Sequence, residues 1–352
     1  MSRSLGAFAA KMAKRYGEEK IANDPPPVII PTGSLTLDWA LRVGGWQQGR
    51  LYELLGPKDS SKTTMAILGM VNHQRAQPDR GVAYVNLERT FAAAWARILG
   101  LSCSAEDIRT GRWAPLLASS TEEASDMARD YVGSGEYSVL VVDSIGSMES
   151  RRVLEKDAEK AADAMGRNAK IITQMSKALA TMAKDSQCTV LLINQPRANM
   201  SGMGGDVSAG PKAMQHATTA KIQFSARGST EDVRKVKFYS DMDPELVGQR
   251  MRARVTRMKN GAPGRQAEYF IMNQATEEFG PAGLDTGDEV AALGARLGVI
   301  SQRPGGWYTL PDGAEIRGRG NLGVYLREHP DSLAAIRKSL DFETPQEETD
   351  AG

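Results

Sequence analysis

Apolar and polar positions recur along this chain at two different periods, and the changes of period mark its elements. Leu5, Phe8, Ala9, Met12 and Tyr16 fall at helical spacing, with Lys11, Lys14 and Arg15 elsewhere on the wheel, which predicts an amphipathic helix over 5–16. Asp24-Pro25-Pro26-Pro27 cannot be helical, and Val28-Ile29-Ile30 before Pro31 reads as a short strand. A helix isolated by such a linker either folds back or docks on a neighbouring subunit. Residues 32–41 read as a capped helix ended by Gly44-Gly45. Nearly continuous apolar runs at 51–55, 82–86, 138–144 and 189–195 are then separated by helical stretches at 91–101 and from about 170 to 184. Strands near 220–224, 250–257 and 266–271 follow, the last two joined by a hairpin turn at Lys259-Asn260-Gly261. Strands that are apolar throughout are buried on both faces, so the pattern predicts an α/β fold with a mostly parallel sheet and ligands at the strand C-terminal ends.

Beyond about residue 275 the pattern changes: 288–297 is amphipathic, 305–310 reads as a strand backed by a Pro-Asp-Gly turn, and 321–340 is helical. The expected organisation is an N-terminal helix and strand at 1–31, a core at 32–272, a small C-terminal α/β domain at 273–338 and an acidic, disordered tail at 339–352.

Chemistry concentrates after the strand at 51–55. Gly56-Pro57-Lys58-Asp59-Ser60-Ser61-Lys62-Thr63-Thr64 nearly fits the phosphate-binding pattern G-x-x-x-x-G-K-S/T, with Ser61 where the second glycine belongs. Backbone N–H groups of such a loop and the following helix N-terminus attract phosphate, Lys62 reaches the terminal phosphates, and Thr63 can ligate Mg²⁺. A Ser/Lys-rich turn capping an ordinary helix is the plainer reading. If Ser61 has positive φ, it carries a strain of ~1–2 kcal/mol. Asp143 ends an apolar strand, where a Mg²⁺ carboxylate stands in phosphate-loop proteins; alone it would only cap the next turn. These residues together describe a Mg²⁺-dependent nucleotide-binding protein.

Composition narrows the partners. In 352 residues a quarter are charged yet the net is +1, so any nucleic-acid binding must come from local basic loops and not from a global field. The two cysteines, Cys103 and Cys188, form neither a disulfide framework nor a zinc pattern, and no stretch reaches transmembrane length; a cytoplasmic protein is expected. Residues 196–212, rich in glycine and proline with two methionines, fit no packed element and read as a functional or disordered loop.

The segments TGSLTLDWAL, GG, GPKDSSKTT, AYVNLE, LVVDS, LINQ, KNGAP and RQAE, in this order, resemble the RecA family of DNA strand-exchange recombinases over nearly the whole chain. The serine at 61 is similar to phage members of that family. The resemblance implies a P-loop NTPase core that uses ATP and Mg²⁺, and a helical filament of copies of the chain on single-stranded DNA that searches double-stranded DNA and exchanges strands. It implies roles for Glu88 in activating the attacking water, for Trp95 in stacking on adenine, and for Gln195 in sensing the terminal phosphate. It implies DNA-binding loops near 152–168 and 196–212, where Met165, Gly166, Arg167, Lys170, Lys177, Arg197, Met200, Gly202, Gly204 and Gly205 are the candidate contacts: cations for phosphates, methionines as wedges between bases. Arg257 and Lys259 resemble basic residues that reach the ATP of an adjacent subunit. Arg303, Arg317, Arg319 and Arg327 beside Trp307 and Tyr308 would receive duplex DNA. Gln215 and His216 depart from the bacterial pattern at the subunit interface, which leaves the coupling there open. Two further readings stand beside this one: a nucleotide-regulated DNA-binding filament that hydrolyses little because of Ser61, and a hexameric motor or regulatory ATPase of the same superfamily.

Overall fold

A computed structural model describes residues 5–16, 26–145, 158–197, 207–208, 212–238, 240–259 and 261–340. Among these described residues seventeen strands follow in chain order. The first two, β1 (Ile29–Ile30) and β2 (Trp46–Gln47), pair with each other. Then come β3 (Leu51–Leu55), β4 (Gly81–Asn86), β5 (Trp113–Leu117), β6 (Tyr137–Asp143), β7 (Thr189–Asn194), and a small pair, β8 (Pro196–Arg197) with β9 (Val207–Ser208). They are followed by β10 (Ala220–Ala226), β11 (Val233–Val236), β12 (Glu245–Met258), β13 (Gln266–Met272) and β14 (Gly283–Leu284). A C-terminal meander of β15 (Ser301–Arg303), β16 (Trp307–Thr309) and β17 (Glu315–Arg317) completes the set.

The main sheet has ten strands in the order β14-β13-β12-β10-β3-β7-β6-β4-β5, with β11 on β12. From β10 to β5 all pairings are parallel, and from β10 outward to β14 they are antiparallel. Every residue of β3, β4 and β7 is buried, because both faces of the parallel half are covered. On one face Tyr52, Leu54, Tyr84, Val141, Leu191 and Phe224 pack with Met65 and Met70 of the helix Lys62–Ala76. On the other, Leu51, Val85, Leu140 and Leu192 meet Ala128 of the helix Thr121–Gly133 and Leu179 of the long helix Ala158–Ser186.

Three differences from the sequence reading have physical causes. The long helix begins at Ala158, so Met165 to Lys170, expected in or beside a loop, lie in a helix; the alanine-rich run outweighs the single Gly166, whose cost is about 1 kcal/mol. Residues 321–340 form two helices, Arg319–Glu328 and Pro330–Ser339, because Pro330 is suited to a first turn and not to an interior. Strand β12 runs well beyond 250–257 on its N-terminal side, where it pairs with β11. The helix Leu5–Tyr16 forms as expected, and Phe8 on it is 61% exposed.

The C-terminal residues have their own apolar cluster, Val290, Leu293, Ile300, Leu322, Leu326 and Ile336, yet a polar seam ties them to the core. Ser34 caps the short helix Leu35–Ala40. Its hydroxyl also donates to Glu289, which accepts from Thr36 Oγ1 at 2.8 Å and from the Thr36 N–H at 3.2 Å. Burial pushes the Glu289 carboxyl up to about 7, and burial does the same to Asp38 beside it. The folded chain therefore keeps protons that the unfolded chain releases near pH 4. This contribution to stability is complete below about pH 4 and is lost as pH rises through about 7. Urea unfolding is expected to give a stability lower by about 4 kcal/mol at pH 8 than at pH 5.5, about 2 kcal/mol from each carboxyl. Glu289→Gln is expected to halve that slope, leaving the part due to Asp38; an unchanged slope would count against this assignment.

Candidate active site

The loop between β3 and the helix Lys62–Ala76 turns in residues 56–61. Gly56 is required there: an added Cβ would stand 2.5 Å from both the Phe224 carbonyl oxygen and Ser60 Oγ. Asp59 and Ser61 both take left-handed backbone, with φ of 58° and 68°. Ser61 thus carries the strain anticipated for a serine at a glycine position. It is the N-cap of the helix, but its side chain makes no capping bond; Oγ instead lies 3.0 Å from the Tyr269 hydroxyl. Lys62 is buried, and its Nζ donates to the Pro57 carbonyl at 2.5 Å and to Ser60 Oγ at 3.3 Å. Burial lowers its pKa, against the opposing pull of Asp143, Glu88 and Asp59.

Parallel pairing brings the ends of four strands to this loop. Thr63 Oγ1 donates to Asp143 Oδ2 at 3.0 Å, and the Tyr84 hydroxyl donates to the same oxygen. Burial raises the Asp143 pKa, and the neighbouring Glu88 adds to the rise. Such a carboxylate is stabilised in its charged form by a cation. The donor set is one hydroxyl and one carboxylate, both hard oxygen ligands, which fits Mg²⁺ completed by phosphate and water, and not an all-protein cage. Among the described residues no cluster of three or more His, Cys, Asp or Glu forms such a cage.

Glu88, just past β4, accepts from the Ser144 hydroxyl and from Gln195 Nε2 at 2.9 Å through one oxygen, Oε1. Gln195 follows β7, its backbone N–H held by Asn194 Oδ1 at 2.9 Å, while Asn194 donates to the buried Glu53 at 2.8 Å. The next residues are Pro196–Arg197, paired antiparallel with Val207–Ser208, so Gln195 joins the carboxylate to the base of the loop anticipated at 196–212. Trp95, half-buried on the helix Ala93–Ile98, donates its indole N–H to Thr64 Oγ1 at 3.3 Å and so flanks the same loop.

Other anticipated residues stand apart from this cluster. Arg257 and Lys259 lie at the C-terminal end of β12, which pairs at Ala220 with the beginning of β10, the edge of the sheet opposite the phosphate loop. Lys259 borders a pocket of about 100 Å³ with Arg50, Thr219 and Ala217, and burial with the nearby Arg257 and Arg50 lowers its pKa. Arg167, Lys170 and Lys177 are exposed on the long helix, which also carries Met165 and Gly166. Met200, Gly202, Gly204 and Gly205 lie outside the described residues, as does the side chain of Arg197. Of the C-terminal arginines, Arg303 pairs with Glu315, Arg319 with Asp288 at 3.4 Å and Arg327 with Asp285 at 2.8 Å, so these three are already engaged within the chain. Tyr84, Ser144 and Tyr269 escaped the sequence reading. Tyr84 alone carried a signal, a phenol in an otherwise apolar strand that needs a buried partner.

Residues 7–276 match the family model of the RecA N-terminal domain. The chain belongs to the RecA family. It is 28% identical over 348 residues to Protein RecA of Nocardioides sp., covering 96% of this chain and 90% of that protein. It is 31% identical over 348 residues to Protein RecA of Azospirillum lipoferum and 30% over 346 residues to that of Brucella anthropi, each match covering 96% of this chain and 88% of the relative. RecA-family proteins are recombination and repair proteins and DNA-dependent ATPases, and the family implies nucleotide binding, DNA binding and filament formation for this member. The strand ends around the phosphate loop are where a RecA-type core would work on a nucleotide. Among the described residues no helix is long and apolar enough to cross a membrane.

Proposed function

We propose that this RecA-family protein binds ATP with Mg²⁺ at the phosphate loop, polymerises on single-stranded DNA in the cytoplasm, and exchanges strands with homologous duplex DNA. The observation that carries this reading is the meeting of Thr63 with Asp143 and of Glu88 with Gln195 beside Lys62. Residues 56–64 hold the phosphates, with Lys62 on the terminal ones. Thr63 and Asp143 hold Mg²⁺, which neutralises β- and γ-phosphate charge when bound. Trp95 flanks the adenine. Glu88 accepts the proton of the attacking water, and its bond to Gln195 supports a path from terminal phosphate to the 196–212 loop. Met200 and the glycines of that loop contact DNA without reading sequence; Arg197 adds a phosphate contact, as do Arg167, Lys170 and Lys177 from the 152–168 side.

Arg257 and Lys259 act in trans. Their place at the far edge of the sheet supports this, since no residue there can serve its own phosphate loop, whereas a head-to-tail neighbour brings the two edges together. The helix at 5–16 with its strand forms the oligomerisation arm (1–31), 32–272 the ATPase core, 273–338 a DNA-interacting domain and 339–352 an acidic tail. The engaged state of Arg303, Arg319 and Arg327 leaves the duplex contacts of that domain to other side chains or to rearranged ion pairs.

Hydrolysis of ATP measured with and without single-stranded DNA, at one fixed moderate salt concentration, tests the proposal. Turnover is expected to rise about tenfold or more with DNA, since the Gln195 path couples loop to carboxylate. ATP and DNA binding with negligible turnover would favour the second reading, a switchable filament in which the left-handed Ser61 has separated assembly from chemistry.

A further inference from the structure

Ser61 departs from the glycine pattern at the position where departure costs most. Its φ is 68°, so its Cβ bears the left-handed penalty. It is also the N-cap of the helix whose first N–H groups would face phosphates bound at this loop. A serine hydroxyl at an N-cap ordinarily accepts from the N–H of the second or third helical residue, here Thr63 or Thr64. Such a bond would occupy the donors that a phosphate needs. In this chain the bond is not made.

The left-handed backbone of Ser61 does not favour that bond, and its hydroxyl has another partner 208 residues away. The Tyr269 hydroxyl is 3.0 Å from Ser61 Oγ. Tyr269 is fully buried in the core cluster on β13 and paired with Met251 of β12, so it is held fast. The carbonyl of the neighbouring Glu268 lies 3.3 Å from Thr36 Oγ1. A phenol in this position offers Ser61 a partner away from the helix N-terminus.

We propose that Tyr269 is a positioning residue of the phosphate loop: its hydroxyl engages Ser61, offsets part of the left-handed cost, and keeps the serine from capping the N–H groups that receive phosphate. The inference rests on the reading that this loop binds ATP. It implies that tyrosine at 269 matters because serine is at 61, and that with glycine at 61 the phenol hydroxyl is dispensable for nucleotide.

The test is a double-mutant cycle of Tyr269→Phe, Ser61→Gly and the double variant, titrated with a fluorescent, slowly hydrolysed ATP analogue and Mg²⁺, with Lys62→Ala alongside. Tyr269→Phe is expected to weaken binding by roughly three- to tenfold, the span of one net hydrogen bond plus a competing cap. In ATP turnover the loss should fall on KM and not on kcat, because Tyr269 touches no reacting atom. In the Ser61→Gly background the same replacement is expected to change affinity by less than about 1.5-fold. Equal losses in both backgrounds would mean a general packing role and overturn the proposal, as would full affinity in Tyr269→Phe; thermal melting of each variant separates both from misfolding. If Lys62→Ala binds the analogue as tightly as the parent chain, the ATP reading itself fails and the proposal with it. Loss on Lys62→Ala with an additive cycle would sink the tyrosine proposal alone.

Discussion

Lys62→Ala is expected to abolish ATP-dependent strand exchange and to lower ATP turnover at least ~100-fold, the scale seen when one donor to a developing anionic charge is removed. The side chain is buried, and its ammonium is held inside the loop by the Pro57 carbonyl and Ser60 hydroxyl. Burial depresses its pKa, so its charge there is poorly solvated. A phosphate oxygen would replace a neutral carbonyl with a full anion, and the interaction gains most where water is excluded. Removing the ammonium leaves Asp143 and Glu88 with one cation fewer, so Mg²⁺ alone must balance them and the phosphates together. The fold should survive, because a desolvated charge contributes little to stability and its loss exposes no apolar surface. Strand exchange and turnover measured on Lys62→Ala, with melting as the control, check this; full activity would refute the assignment of the loop.

The strand, turn and helix of the proposed phosphate loop were legible in sequence because they are local: strand, turn, lysine, threonine and helix start lie within fifteen residues, and each residue type answers a local need. Asp143 was legible for a related reason, since a carboxylate at the end of an apolar strand must face the ligand edge of a parallel sheet. Glu88 and Gln195 were reached through family resemblance; their contact across 107 residues appears only when β4, β6 and β7 are laid side by side. Tyr84 to Asp143 and Ser61 to Tyr269 are of the same kind, pairs set by strand register and sheet order, which no local pattern encodes. The loop near 152–168 was expected from family resemblance, and from Ala158 onward helix propensity prevails. Residues 275–340 were legible in outline, yet the buried seam of Glu289 with Ser34 and Thr36 was not, because a buried acid looks like a surface acid until its partners are known.

Glu88→Gln separates assembly from chemistry. The replacement keeps size and an oxygen acceptor, so the bonds from Ser144 and Gln195 can both persist and the loop beyond Gln195 stays tied to the site. What disappears is the carboxylate proposed to take the proton of the attacking water. General-base contributions of ~10²–10⁴ set the expected fall in DNA-stimulated turnover. The proposed ATP contacts, Lys62, Thr63 and Asp143, are left in place by the change, so ATP-dependent binding to single-stranded DNA is expected to remain within about threefold of the parent chain, as for a substitution outside the phosphate contacts. With turnover removed, the complex should persist on DNA, since nothing then converts the ATP state to the one that releases the strand. Multiple-turnover kinetics and the lifetime of the complex on a single-stranded oligonucleotide measure the two halves of this expectation. Undiminished turnover would move the base elsewhere. Loss of DNA binding in step with turnover would mean that Glu88 organises the 196–212 loop through Gln195, a structural linkage and not a proton acceptor.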